Sequence, residues 1–109
     1  MGCLTTHVLD TVRGRPAEGV TIEVHRISGT RQLLKILTTN SEGRCDAPLL
    51  DSTEFEPGLF ELSFHVGSYF RAMGMKLAEP VFLGEVIVRI GIAADESHHV
   101  PLLISPWSY

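Results

Sequence analysis

Cysteine is scarce: Cys3 and Cys45 are the only two in 109 residues. They lie far apart and no C-x-x-C spacing occurs, which argues against a disulfide scaffold and a cysteine-based zinc module. The expectation is two free thiols in a reducing compartment. The metal-binding patterns H-x-H and H-E-x-x-H are absent, and so is the G-x-S-x-G turn that presents a nucleophilic serine. No metal or cofactor is therefore expected. Cationic charge is also short, with nine Lys and Arg against thirteen Asp and Glu, a net −4 with histidine neutral. That gives no basic footprint for nucleic acid and no attraction to an anionic membrane. No apolar run approaches the ~20 residues a membrane-spanning helix needs, and no secretory leader is visible. The cytoplasm is the expected compartment. The start, Met1-Gly2-Cys3-Leu4-Thr5-Thr6, fits the loose pattern for acylation of Gly2. The same residues lead into a strand, and that is the reading adopted.

What the chain does contain is alternation. The length suits one domain spanning residues 1–109, with 44% apolar residues to fill a modest core. Residues 4–10 read as a strand with Leu4, Thr6 and Val8 on one face and Thr5, His7 and Leu9 on the other. Residues 13–16 break it as a loop. Residues 20–27 alternate again, Ser28-Gly29-Thr30 is a turn, and residues 33–39 return. Asn40-Ser41-Glu42-Gly43 is a second turn, with Gly43 suited to positive φ. A short apolar piece follows at 47–50. Residues 59–66, 85–93 and 98–105 are further strands. One short helix is expected over 68–75, capped by Ser68. Short strands every 8–12 residues, separated by turn signals, indicate an all-β sandwich or barrel.

Five histidines are the candidate reactive groups. His25 and His65 sit mid-strand and read as structural. His7 lies on the face of its strand opposite Leu4 and Val8. His98 and His99 are strand neighbours, so they point to opposite faces, and only one can look the same way as His7. Composition and spacing stop here, at an all-β domain with a possible His/Arg surface site.

Four stretches, in order, carry a resemblance. Leu4-Thr5-Thr6-His7-Val8-Leu9-Asp10 with Gly14-Arg15-Pro16-Ala17 is similar to the first strand and turn of the transthyretin-like family. Asn40-Ser41-Glu42-Gly43-Arg44 resembles a later turn of that family. Pro57-Gly58-Leu59-Phe60-Glu61-Leu62, then Gly67-Ser68-Tyr69-Phe70, resemble its fifth strand and short helix. His99-Val100-Pro101-Leu102-Leu103-Ile104-Ser105-Pro106 resembles its penultimate strand. The family has a hormone-carrier branch and a branch that hydrolyses 5-hydroxyisourate, a product of urate oxidation. Carriers place lysine and threonine where this chain has His7 and His99. The enzymes place histidine at both, and an arginine where this chain has Arg44.

The resemblance implies a transthyretin-like β-sandwich of two four-stranded sheets with one short helix. It implies that the strands of His7 and His99 are neighbours and that the segment after Arg44 lies beside the first of them. It implies a homotetramer with sites in a groove between two dimers. The implied activity is hydrolytic ring opening of 5-hydroxyisourate to 2-oxo-4-hydroxy-4-carboxy-5-ureidoimidazoline, without metal or cofactor. His7, Arg44 and His99 would bind the substrate and act on it. His99 is the expected base, His7 its partner and Arg44 the donor to the developing oxyanion. His98, facing away, reads as structural. In the enzymes a tail of the type Ser-Thr-Tyr-Arg-Gly-Ser follows the stretch matched by Ser105-Pro106-Trp107-Ser108-Tyr109, so a last strand is expected beyond Tyr109. Ser108 is closer to the carrier branch, and a carrier-type binding protein without chemistry is the alternative. Pro101 has no N–H to give a ladder.

Overall fold

The structure, a computed structural model, describes residues 2–109. Met1, the first residue of the acylation-like pattern, lies outside the described residues. Gly2 is buried and its N–H donates to Asp95 Oδ1 at 2.7 Å, so that amide is held inside the fold.

The described residues form strands β1 (Leu4–Asp10), β2 (Arg15–Pro16), β3 (Thr21–Ser28), β4 (Thr30–Thr38), β5 (Gly58–Phe64), β6 (Val86–Ile92) and β7 (His98–Ile104), with helix α1 (Val66–Ala72) between β5 and β6. One sheet has the order β2-β1-β7 and the other β4-β3-β5-β6. Among the described residues, the first sheet therefore has three strands where four were expected. The segment that follows Arg44 accounts for part of the difference. It touches β1 through a single bridge, Leu4 to Leu50, and does not run as a ladder.

Alternation explains the layering. β1 and β7 send Leu4, Val8, Leu102 and Ile104 inward, while β3 and β5 send Ile22 and Phe60 to meet them in one core cluster. Burying each such side chain contributes roughly 1.5–3 kcal/mol. Thr6 also points inward, and its hydroxyl is satisfied by donating to the Val100 carbonyl at 2.7 Å. On β6, Val86 and Ile92 are buried and Val88 and Ile90 partly so, as the sequence pattern required.

Two local expectations are corrected. Residues 13–16 do not form a loop throughout, because Arg15 and Pro16 pair with Asp10 and Leu9 as the short strand β2. The helix begins at Val66, two residues before the expected cap, and His65 at its N-cap position supplies no side-chain cap bond. Packing sets the start: the Gly67 N–H donates to the Gly84 carbonyl at 2.9 Å. A Cβ at Gly67 would sit 3.1 Å from the Gly84 Cα. Ser68 is left exposed, while Val66, Gly67, Tyr69 and Phe70 form the buried side. Tyr69 links the helix to the first sheet, its hydroxyl donating to Asp10 Oδ2 at 2.8 Å.

Candidate active site

β1 and β7 run parallel, and their register sets the candidate site. Thr5 lies opposite His99, His7 opposite Pro101, and Leu9 opposite Leu103. Registered partners in a sheet point to the same face, so Thr5, His7, Leu9, His99, Pro101 and Leu103 share one side. The burial pattern agrees. Leu4, Thr6, Val8, Leu102 and Ile104 are buried, whereas His99, Pro101 and Leu103 are exposed and His7 is half-buried. The two histidines are thus diagonal neighbours on the outward face of one strand pair. His98 faces the other way; its Nε2 is buried with no hydrogen-bond partner among the described residues.

His99 is anchored. Its Nδ1 lies 2.8 Å from the Thr5 hydroxyl, directly across the strand pair. Either tautomer makes this bond. A base at Nε2 requires the one in which Nδ1–H donates to Thr5 Oγ1, leaving the Nε2 lone pair free. The sequence placed Thr5 on the face of His7 but gave its hydroxyl no role at the site. The signal for it was there in principle, since a hydroxyl two residues before His7 necessarily shares its face.

Arg44 arrives by a different route. The turn Asn40–Gly43 is held by Asn40, whose side-chain oxygen accepts from the Glu42 and Arg44 backbone N–H groups at 2.9 and 3.2 Å. Gly43 has φ +76°, and a Cβ there would collide with the Val8 carbonyl oxygen. Only glycine fits this close approach. In return the Val8 N–H donates to the Gly43 carbonyl at 2.8 Å. At the far end of β1, Leu4 and Leu50 exchange backbone bonds. Between these two attachments the chain departs from β1, and Pro48 has no N–H to offer it. The gap is an open cavity of about 250 Å³, lined by Thr5, Thr6 and the run from Arg44 to Leu49. Arg44 thus shares a cavity with Thr5, the residue bonded to His99, while neither His7 nor His99 lines that cavity. The Arg44 side chain is exposed, with no ion-pair or hydrogen-bond partner among the described residues.

Cys45 lines the same cavity. Burial, and then Asp46 beside it, push its thiol up from the usual value, so it stays a neutral thiol and not a thiolate nucleophile. Both cysteines are free. The face offers two imidazoles and a hydroxyl, and the cavity that shares Thr5 with it adds a guanidinium; these are groups suited to activating water and stabilising an oxyanion.

This arrangement can be set against known proteins. The HIUase/Transthyretin family model matches residues 4–109. The chain belongs to the HIUase/Transthyretin family. Within the HIUase/Transthyretin family, the 5-hydroxyisourate hydrolase of Pseudomonas aeruginosa is 51% identical over 111 residues, covering 100% of this chain and 88% of that protein. The solved structure of Klebsiella pneumoniae 5-hydroxyisourate hydrolase is 30% identical, with a TM-score of 0.79 over 97% of this chain and 91% of that one. Transthyretin from Sparus aurata, at 22% identity, shares the fold with a TM-score of 0.87 over 100% of this chain and 93% of that one. The two-sheet architecture with one short helix is the HIUase/Transthyretin fold expected from the resemblance.

Proposed function

We propose that the chain is a hydrolase that opens the ring of 5-hydroxyisourate to 2-oxo-4-hydroxy-4-carboxy-5-ureidoimidazoline, in urate degradation, with His7, Arg44 and His99 as its reactive set. The observation that carries the reading is the register of β1 on β7, which puts both histidines on one outward face; Thr5, bonded to His99, also lines the cavity of Arg44. Fold alone would not separate enzyme from carrier, because the HIUase/Transthyretin family contains both; histidine at 7 and 99 and arginine at 44 support the enzyme.

The reaction adds water to a ring carbonyl and breaks the bond from that carbon to the ring nitrogen. His99 Nε2 takes a proton from the water while Nδ1–H leans on Thr5, and returns it to the departing nitrogen. His7 accepts or donates a hydrogen bond to hold water and substrate in line. Arg44, a planar fork of fixed charge, binds the carbonyl and nitrogen edge of the purine-derived ring and stabilises the oxyanion. No step in this scheme calls on a metal or cofactor.

The assembly belongs to the same proposal. His99 and Pro101 are exposed on the site face, and Leu103 on that face is 55% exposed. A homotetramer that packs two dimers across this face would cover the leucine and close the groove over the histidines. No helix among the described residues is long and apolar enough to cross a membrane. We assign the cytoplasm, where two free thiols persist.

The variants His99→Ala and Arg44→Ala test the assignment. Each should lower turnover at least about a hundredfold, the scale of one general base or one oxyanion donor. Turnover near that of the parent in either variant would refute it.

A further inference from the structure

The outward face of the β4-β3-β5-β6 sheet, away from the candidate active site, carries a second cluster of titratable groups. Glu23 on β3 lies opposite Ser63 on β5, and His65 follows two residues later on the same face. Glu85 stands across from His65, one step past the Phe64–Val86 pair. Cross-strand and diagonal neighbours of this kind are close enough for side chains to meet. They do: His65 Nε2 lies 2.7 Å from Glu23 Oε2 and 3.9 Å from Glu85 Oε1. One ligand atom from each of the three residues falls within 4.8 Å of the others.

Charge separates this cluster from an ordinary surface network. On the same face Glu61 is matched by two arginines, Arg31 and Arg89. Glu23 and Glu85 have no Lys or Arg partner among the described residues, only histidines. Arg31, which reaches towards this region, is engaged with Glu61 and Ser63. Two carboxylates therefore converge on one imidazole nitrogen without a fixed positive charge. A second histidine is involved. His25 is 5% exposed, its Nδ1 has no hydrogen-bond partner among the described residues, and its Nε2 faces Glu23 Oε1 at 3.6 Å. A buried imidazole nitrogen left without a hydrogen bond is costly, and the other nitrogen of this ring is the one that faces the Glu23 carboxylate.

We propose that Glu23, His65 and Glu85 form a site for a divalent transition-metal ion of the zinc class, with His25 holding the second oxygen of Glu23. Zinc takes histidine nitrogen and carboxylate oxygen at about 2.0–2.2 Å in a tetrahedral array, which sets neighbouring ligand atoms about 3.3–3.5 Å apart. The observed spacings bracket that value, so small side-chain rotations would seat the ion. The ion would replace the proton that His65 Nε2 shares with Glu23, and water would take the fourth position on the open side of Glu85. His25 would orient the ligating carboxylate, the usual work of a residue behind a metal ligand. The ion would tie β3, β5 and the start of β6 together.

The test is calorimetric titration of Zn²⁺ into the full chain carrying His7→Asn and His99→Asn, which removes the competing imidazole pair. One equivalent should bind. Adding Glu85→Gln or His65→Ala to that background should weaken binding at least about tenfold. Glu85→Gln keeps shape at a half-exposed position, and circular dichroism verifies that it folds. Zinc binding that survives both added variants would overturn the proposal. So would a background chain that takes up no Zn²⁺ at all.

Discussion

Replacing Thr5 by valine removes one hydroxyl and keeps the shape of the strand. The structure says what that hydroxyl does: it holds His99 Nδ1 at 2.8 Å across the β1–β7 pair. In the ground state this is a neutral bond, worth about 0.5–1.5 kcal/mol net. When His99 takes a proton the partner becomes charged, and such bonds are worth about 1.5–3 kcal/mol. What counts for kcat is the difference between the two, about 1–1.5 kcal/mol, so the rate should fall about five- to 13-fold, at 1.36 kcal/mol per decade. The fold should hardly notice, because Thr5 is half-buried on the outward face and contributes no core contact. The assay is decay of 5-hydroxyisourate with Thr5→Val and Thr5→Ser measured side by side. Serine keeps the hydroxyl and should restore most of the rate. The lost rate should appear in kcat more than in KM, since the bond acts through His99 and not on substrate. A Thr5→Val chain with the parent's kcat would refute the anchoring role. A Thr5→Ser chain as slow as Thr5→Val would show that the methyl group, not the hydroxyl, mattered.

Two further predictions concern the scaffold under the site. Gly43→Ala puts a side chain at φ +76° and against the Val8 carbonyl. It should cost at least about 2 kcal/mol in urea unfolding, from backbone strain plus displacement, and should lower turnover by moving Arg44. Tyr69→Phe deletes a bond to a nearly fully buried carboxylate, Asp10, and should cost about 1.5–3 kcal/mol. The same phenol gives stability an alkaline edge. Burial, and then the bond to Asp10, push Tyr69 up to about 12, against about 10 in an unfolded chain. The folded state keeps its proton where the unfolded state has lost it, so this contribution is complete below about pH 10 and fades as pH rises towards 12. Unfolding midpoints of Tyr69→Phe should therefore fall less steeply than the parent's over that window.

Strand alternation made most of the sandwich legible before any coordinates. β1, β3, β5, β6 and β7 appear within a residue or two of where the alternation put them, because each has one buried face that fixes its period. β2 had no such signal, since two residues carry no period. The helix start was missed because a cap residue is a local cue, and here Gly67 packing against Gly84 overrode it. The segment after Arg44 lies beside β1 as expected, at Leu4–Leu50, but it fails to pair over residues 44–48, where a proline and a turn hold the chain off the strand. That failure also makes the cavity, which no periodicity could reveal.

The candidate site divides the same way. That His7 and His99 could share a face, and that His98 could not join them, followed from parity alone. Arg44 had to come from the resemblance, because nothing in its spacing ties it to either histidine. Thr5 was overlooked because a threonine in a strand has a sufficient structural reason to be there. Glu23, His65 and Glu85 come from three separate segments, so the absence of H-x-H or C-x-x-C spacing had no bearing on them.

The central claim is that the chain accelerates ring opening, where a carrier would only bind. The measurement that tests it most directly is the ultraviolet decay of 5-hydroxyisourate generated in situ by urate oxidase, with and without the chain. The account predicts decay that speeds up in proportion to the chain's concentration. Decay no faster than the spontaneous rate, together with saturable binding of urate, would contradict it and leave a carrier-type protein in its place.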